Sequence, residues 1–171
     1  METTCGYFGL HPWELPWDTE RDNPERTRFQ KQIRAHLTSL VAQQNISRFI
    51  VSVDGGAALL VAEAILEMKA QHPVTLECVI PFEELPVHWS EAERERYFSV
   101  LERCDVENMI NRSFTLNCYR RCAQYLAEQC GTLLILWNEK PGDAGDAIAV
   151  AHRFGRRLIL LSPIASSDKV E

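Results

Sequence analysis

The stretch that decides the fold is "TLLILWNEKPGDAGDAIAVAHRFGRRLILLS", residues 132–162. It begins with an apolar run over 132–138, passes through a loop of proline and glycine, and ends in a second apolar run over 157–162. Between the two runs, small and branched apolar residues recur at helical spacing over 144–154. Continuous apolar strands joined by a helix are typical of a parallel sheet that is covered on both faces.

The same alternation of strands and helices runs through the rest of the chain. Further strands are predicted over 3–8, 48–53, 74–80 and 105–110, and further helices over 24–44, 57–71, 90–103 and 115–130. This order predicts an α/β fold, a Rossmann-like three-layer sandwich with a mainly parallel sheet of about six strands. It also predicts a single domain over 1–163 and a frayed C-terminal tail over 164–171.

Particular residues mark the ends of several elements. Asn23 before Pro24 is an N-cap signal, and Ser90 with Glu93 forms an S-x-x-E capping box. Pro81 is predicted to end the strand before it, because proline cannot donate a hydrogen bond to a neighbouring strand.

Charge and composition exclude several classes of function. The net charge is -6, from 18 Lys and Arg against 24 Asp and Glu, so general binding of nucleic acid is not expected. No run approaches the roughly 18 apolar residues of a membrane span, and the first residues do not read as a secretory signal. We therefore expect a cytoplasmic protein without a membrane partner.

Six cysteines are present, and none forms a C-x-x-C pair. They are interpreted as reduced thiols of the cytosol. Cys118 and Cys122 share a predicted helix face, but no matching His or Cys pair accompanies them, so packing is favoured over metal binding. No metal site is predicted.

Three loops are expected to hold any ligand, because parallel sheets bind ligands beyond the carboxyl ends of their strands. These loops cover 9–17, 54–57 and 138–145. The last two precede helices and contain glycines, a pattern typical of phosphate sites at helix N-termini.

Aspartates occupy both of these helix openings. With a helix starting near Ala144, Asp143 is predicted as its N-cap and Asp146 as the N3 residue of a capping box, each contributing about 0.5–2 kcal/mol. Asp54 is predicted to cap the other helix beside Gly55 and Gly56. The backbone donors that a phosphate would need are then already taken by the protein.

Electrostatics favours the same interpretation. A carboxylate about 4 Å from a phosphate repels each unit charge by roughly 4 kcal/mol at an effective dielectric constant of about 20. The helix dipole returns only about 0.3–1 kcal/mol. Three alternatives stay open: a phosphate bridged by a divalent cation, a neutral or cationic ligand, and a phosphate held elsewhere.

Four sequence pieces resemble a known family over nearly the full chain. They are "GLHPWELPW", the "VAE" that contains Glu63, "IPFEELPVHWSEAERERYFSVLERCD" and "LLILWNEKPGDAGDAIAVA". They resemble the YpsA-like branch of the SLOG (SMF/DprA–LOG) superfamily. The resemblance implies a Rossmann-like fold and a pocket for a nucleotide or an ADP-ribose-like ligand, without implying a known reaction.

The chain departs from this family in its pocket loops. His11 stands where the first loop usually has Arg, and Leu10 where it has His. In the second loop, Val51 and Ser52 replace Ser-Gly and Ala58 replaces Asp. Before the fifth strand, the family's Arg-Asn-Arg-Tyr is represented by residues 122–125, of which only Tyr125 matches.

The fifth loop differs from that of the LOG phosphoribohydrolases. Those enzymes carry Pro-Gly-Gly-x-Gly-Thr-x-x-Glu, and only Pro141, Gly142 and Gly145 match here. Asp143 and Asp146 replace a Gly and the Thr, and Ala149 replaces the catalytic Glu. The hydrolase activity is therefore not carried over.

The predicted site combines the loop glycines with a few polar and aromatic side chains. The expected ligand-binding residues are Gly9, His11, Trp17, Ser52, Gly55, Gly56, Glu63, Pro141, Gly142 and Gly145. Glu63 and His11 are the only catalytic candidates, although a partly exposed helix glutamate and a surface loop histidine are the simpler interpretations. Trp13 and Trp17 are interpreted as core lids or partner contacts, with base stacking as the alternative.

Three functional hypotheses follow. The first is a non-catalytic sensor or regulator of the SLOG type that binds a nucleotide-derived ligand or a protein partner. The second is an enzyme that hydrolyses a nucleotide N-ribosyl bond. The third is an interaction scaffold that self-associates without a small ligand.

Overall fold

The computed structural model describes residues 1–165 and the backbone of 169–170. The strands in this part of the chain are β1 (Thr4–Gly9), β2 (Arg48–Ser52), β3 (Thr75–Phe82), β4 (Val106–Asn111), β5 (Thr132–Leu136), β6 (Arg157–Leu161) and β7 (Lys169–Val170). The helices are α1 (Pro24–Gln44), α2 (Ala57–Met68), α3 (Glu91–Arg103), α4 (Cys118–Gln129) and α5 (Asp143–Arg153), with a short 3-10 helix at Pro12–Glu14.

The strands form one sheet in the order β4-β3-β2-β1-β5-β6-β7. The first six strands pair in parallel, and β7 pairs antiparallel with β6. Helix α2 packs against both α1 and α3 on one face, and α4 packs against α5 on the other. The predicted three-layer α/β fold with a mainly parallel sheet is confirmed.

The core lies where the sequence is most continuously apolar. All five residues of β5 are buried, and β2 is buried from Phe49 to its end. Helix α2 is buried on nearly all sides, in keeping with its run of alanine and branched residues. Central strands and one central helix of this kind hold the sheet edge that carries the loops in a fixed position.

Most helix signals are confirmed at residue level. Asn23 is the N-cap of α1, its side chain accepts a hydrogen bond from the Arg26 N–H, and Pro24 is the first helical residue. Ser90 is the N-cap of α3, and its hydroxyl accepts a hydrogen bond from the Glu93 N–H at 3.1 Å.

The structure differs from the sequence predictions at two element ends. Pro81 does not end β3, which continues to Phe82. By Pro81 the neighbouring β2 has already stopped, since its last pair is Ser52 with Val79, so proline removes no hydrogen bond on that side. Of the predicted tail over 164–171, residues 169–170 form β7, while 166–168 and 171 lie outside the described residues.

The strand order creates a switch point beside β1. The chain leaves β1 toward β2 on one side, and it later returns to place β5 on the other side. Loops that follow β1, β2 and β5 therefore meet at one edge of the sheet, where α/β folds bind their ligands.

Candidate functional site

The loops after three adjacent strands converge on His11. His11 follows β1, Asp54 follows β2, and Asp143 begins α5 after β5. The Nδ1 atom of His11 is hydrogen-bonded to Asp54 Oδ2, and Nε2 lies 2.6 Å from Asp143 Oδ2. We call these three residues the His11 cluster. His11 is only 3% exposed, so the interpretation as a surface loop histidine is wrong.

The geometry sets the protonation state of His11. Both ring nitrogens face carboxylate oxygens, an arrangement in which an imidazolium donates a hydrogen bond at each nitrogen. Burial opposes this charge, but the hydrogen bonds and charges of Asp143 and Asp54 outweigh it and raise the pKa of His11 to about 10. Burial also raises the pKa of Asp54, despite the hydrogen bond from His11. Both shifts keep a proton on the His11–Asp54 pair to higher pH.

The surroundings of the imidazolium carry excess negative charge. Glu14 accepts a hydrogen bond from the His11 backbone N–H at 3.0 Å, and its carboxylate lies 4.0 Å from Nε2. One cation is thus surrounded by the carboxylates of Asp54, Asp143 and Glu14. The Asp143 side chain is 38% exposed, so part of this negative charge faces solvent.

Aromatic rings border the His11 cluster along the sheet edge. The Trp13 indole stacks on the His11 ring with centroids 4.4 Å apart and planes at 14°. Tyr119 also contacts the His11 ring, with centroids 4.3 Å apart, and Phe82 and Phe114 continue the row. Trp13 is 73% exposed, so one face of a large flat ring is held open to solvent.

The N-terminus of α2 is capped by a residue that is distant in sequence. Gly56 is the N-cap, and its N–H donates to Glu93 Oε1 of α3 at 2.7 Å. The predicted Asp54 cap is therefore wrong, because that carboxylate binds His11 instead. The second hydrogen bond of the predicted Ser90–Glu93 capping box, from the Ser90 N–H to the Glu93 carboxylate, is also wrong. The Glu93 carboxylate binds Gly56 and Arg96 instead.

The glycines before α2 are covered by other parts of the protein. Gly55 and Gly56 have φ values of +86° and +53°, which favour glycine. A Cβ on Gly55 would lie 2.9 Å from Trp89 Cζ2, and one on Gly56 would lie 3.3 Å from Pro12 Cγ. The Trp89 ring and Pro12 of the first loop therefore pack against the two glycines that precede α2.

The N-terminus of α5 has a different arrangement. Gly142 is the N-cap and no side chain caps it, so the prediction that Asp143 is the N-cap is wrong. Asp143 is instead the first helical residue, turned to His11. Asp146 is one residue beyond N3 and exposed, so the predicted capping box does not form. The capping interpretation failed because a buried cation competes better for a carboxylate than neutral N–H groups do.

Glu63 is engaged in an ion pair. Its Oε1 accepts hydrogen bonds from Arg96 Nη2 at 2.6 Å and Nε at 3.0 Å. Arg96 also contacts Glu93 Oε2 at 3.2 Å, so one guanidinium joins Glu63 to the residue that caps α2. Glu63 is thereby a partly buried helix glutamate beside the site, and no contact with His11 places it in the cluster.

Other predicted site residues take several positions. Gly9 is closely packed, since a Cβ there would lie 2.9 Å from Leu136 Cβ. Trp17 is buried and donates from Nε1 to the Pro163 carbonyl at 2.8 Å. Ser52 is buried at the end of β2. The fifth loop presents Pro141 and Gly142 to solvent, and Gly145 lies against Trp137.

Sequence reasoning missed three functional contacts. It did not pair Asp54 with His11, it did not find the Glu93–Gly56 hydrogen bond, and it did not place Tyr119 against His11. A usable signal existed for the first, because His11, Asp54 and Asp143 each follow a central strand closely.

Within the described residues, no three or more His, Cys, Asp or Glu side chains are grouped so that they could hold a metal ion. Cys118 and Cys122 are both completely buried. Within the same residues, no helix combines the length and apolar character needed to cross a bilayer.

Comparisons with known proteins place the chain in a family. Residues 8–155 match the family model described as the YspA SLOG family. The UPF0398 protein BH1768 of Halalkalibacterium halodurans is 29% identical over 131 residues, covering 74% of this chain and 69% of that protein. The UPF0398 protein lmo1889 of Listeria monocytogenes is 29% identical over 130 residues, covering 72% and 69%. The chain therefore belongs to the YspA SLOG family, the YpsA-like branch that its sequence motifs resemble.

Proposed function

We propose that this chain is a non-catalytic binding protein for a nucleotide-derived ligand, acting as a sensor or regulator. The ligand lies at the carboxyl ends of β1, β2 and β5, with its base on the exposed face of Trp13. The observation that carries the proposal is the parallel stack of Trp13 on a histidine that two carboxylates hold in place.

This stack is suited to binding a base. The imidazolium below the indole cannot rotate without breaking a hydrogen bond at each nitrogen, so the ring above it is preorganised. A base that stacks on an exposed aromatic ring gains about 1–3 kcal/mol without needing a specific sequence of donors. A broad class of nucleoside-like ligands is therefore compatible with the site.

The contacts of His11 argue against catalysis. A general base needs a free lone pair, and both nitrogens of His11 are already hydrogen-bonded to carboxylates. The position of the phosphoribohydrolase glutamate holds Ala149, which is exposed on α5. These observations favour binding over hydrolysis of an N-ribosyl bond.

A cytoplasmic location is part of the proposal. It is supported by the six cysteines, all of which are free thiols rather than disulfides.

Protein association is a second candidate role. Phe114 is 56% exposed and Leu116 is 97% exposed, next to the aromatic row at the same sheet edge. Exposed apolar side chains grouped in this way favour a protein partner or a second copy of the chain. Sedimentation of wild type and of the double variant Phe114→Ser, Leu116→Ser tests this: self-association that the variant loses supports it, and a monomer in both cases removes the homo-oligomer.

The binding proposal is tested with nucleosides and nucleotides. Thermal shift and intrinsic fluorescence are measured with adenosine, guanosine, AMP, GMP and ADP-ribose, using wild type, Trp13→Ala and Phe98→Ala. Phe98 is the control, since it is an exposed aromatic residue on α3, away from the site. We expect at least one compound to stabilise wild type and Phe98→Ala but not Trp13→Ala. The proposal fails if no compound binds, if Trp13→Ala binds as well as wild type, or if free base is released.

A further inference from the structure

The structure assigns this site to an unphosphorylated ligand. We infer that a nucleoside or a related neutral or cationic base is accepted in preference to its phosphate ester, and that Glu93 and Asp143 determine this specificity. The inference rests on the proposed function and adds the chemical class of the ligand. It follows from what occupies the two helix openings.

At α2, an internal carboxylate already takes the place of an anion. Glu93 Oε1 accepts the Gly56 N–H at 2.7 Å, and Oε2 accepts from Arg96 at 3.2 Å. Glu93 is itself only 6% exposed. A phosphate that took the Gly56 donor would leave this buried carboxylate with fewer partners and with a second anion beside it.

The same opening is also closed sterically. The Trp89 ring lies over Gly55, and Pro12 lies over Gly56. The glycines serve a close approach between protein segments, so their positive φ values are explained without a ligand.

At α5, no side chain caps the backbone N–H groups, but two carboxylates lie close to them. Asp143 lies in the first turn and is hydrogen-bonded to His11. A Cβ on Gly142 would lie 3.4 Å from Glu14 Oε2, which places that second carboxylate at the loop. The single positive charge of His11 is already matched by Asp54 and Asp143, so an incoming anion meets net negative charge.

The same groups suit a ligand that donates hydrogen bonds. Asp143 and Glu14 are partly exposed acceptors beside the Trp13 stack. Asp54 is more than nine-tenths buried, and its Oδ1 lacks a hydrogen bond of normal geometry, although the Tyr119 hydroxyl is close enough to lower the pKa of the carboxyl. Ribose hydroxyls, exocyclic amines or a protonated base are suitable donors for the partly exposed carboxylates of Asp143 and Glu14.

The test compares each nucleoside with its own 5′-monophosphate by calorimetry in the presence of EDTA. Adenosine with AMP and guanosine with GMP are the probes. We expect the nucleoside to bind wild type at least about tenfold more tightly, about 1.4 kcal/mol. In Glu93→Gln and Asp143→Asn, which remove one negative charge each, the ratio of nucleoside affinity to monophosphate affinity should fall by about tenfold. The nucleoside affinity of Asp143→Asn itself is expected to fall as well, because Asp143 accepts hydrogen bonds from the ligand. Asp146→Asn, an exposed aspartate on the same helix, should keep the wild-type preference.

The outcomes separate the two proposals. A monophosphate that binds wild type as tightly as its nucleoside, in a manner that requires Trp13, overturns this inference and leaves the proposed function intact. A wild-type preference that survives both charge-removing variants overturns the assignment to Glu93 and Asp143. If no probe binds at all, the proposed function fails and the inference falls with it. Because Asp143 is partly exposed, its variant provides a folded test even if Glu93→Gln is unstable.

Discussion

The openings of α2 and α5 resemble each other in sequence, yet the structure treats them differently. Each follows a central strand and contains glycine and aspartate. At α2 the N-cap amide is bound by Glu93 and the glycines are covered. At α5 no side chain caps the helix, and the N-cap glycine is exposed. One opening is bound by tertiary contacts, whereas the other has only the carboxylates of Asp143 and Glu14 beside it.

The difference shows which partner a carboxylate binds when both a cation and a helix N-terminus are within reach. Asp54 and Asp143 both lie within reach of helix N-termini, but both bind His11. A charged partner in a buried site is worth more than a neutral amide, because it also offsets the cost of desolvation. The His11 cluster thereby links the two helix openings. Four predictions test that link, three from variants and one from the pH dependence of stability.

The largest effect is expected for Asp54→Ala. It leaves the His11 cation buried with Asp143 as its only ring partner in the cluster, which should cost about 3–5 kcal/mol of unfolding free energy. Urea denaturation measures the loss. Asp146→Ala is the control and should stay within about 0.5 kcal/mol of wild type. A loss for Asp54→Ala no larger than that of the control would show that the cluster does not hold the openings together.

The next effect is expected for Gly55→Ala. Alanine is strained by about 1–2 kcal/mol at a positive φ, and its Cβ would also clash with Trp89, so we expect about 2–4 kcal/mol in total. Gly155→Ala is the matched control, because φ there is +67° and nothing lies within 4 Å of the added carbon. Equal losses in the two variants would mean that Trp89 does not close the α2 opening.

A smaller difference is expected between Glu93→Ala and Asp143→Ala. Glu93 is buried and caps α2, so its removal should cost about 2 kcal/mol. Asp143 is partly exposed, and its removal should cost about 1 kcal/mol or less. Glu95→Ala, an exposed change on α3, serves as the control in the same urea series. The reverse order of losses would contradict the contrast between the two openings.

The smallest effect is a pH dependence of stability. The folded pKa of His11 is raised from 6.5 to about 10, so its contribution is complete below about pH 6.5 and is lost as the pH rises toward 10. Between pH 6 and 7, before the thiols of the unfolded chain titrate, the unfolding free energy should fall by about 0.7 kcal/mol. His11→Asn should flatten this slope. A slope that is unchanged in the variant would mean that His11 is not the group that titrates.

The fold could be predicted from sequence because its signals are local. The apolar run of β5, the Asn23–Pro24 start of α1 and the Ser90 N-cap each depend on neighbouring residues, and each is confirmed. The end of β3 at Pro81 was wrong, since the extent of a strand depends on the partner beside it, and β7 was not predicted because its pairing with β6 is a tertiary contact.

The site could be predicted only in part. The three loops were placed by the rule for parallel sheets, but each aspartate was assigned to the closest backbone donors. The true partners are far along the chain: 43 residues separate His11 from Asp54, and 132 separate it from Asp143. Likewise, 37 residues separate Glu93 from Gly56. Such choices depend on tertiary distances that sequence periodicity does not carry.

The most direct test of the central claim is an amide NMR titration. ¹⁵N-labelled wild type and Glu93→Ala are titrated with AMP in EDTA, and the amide shifts of Gly56 and of residues 142–146 are followed. We predict that the resonances of these amides do not shift in wild type. The Gly56 resonance should shift in Glu93→Ala, because its N–H is no longer bound by Glu93. Large, saturable shifts of the same amides in wild type would show that phosphate reaches the backbone N–H groups at the openings of α2 and α5, which contradicts the account.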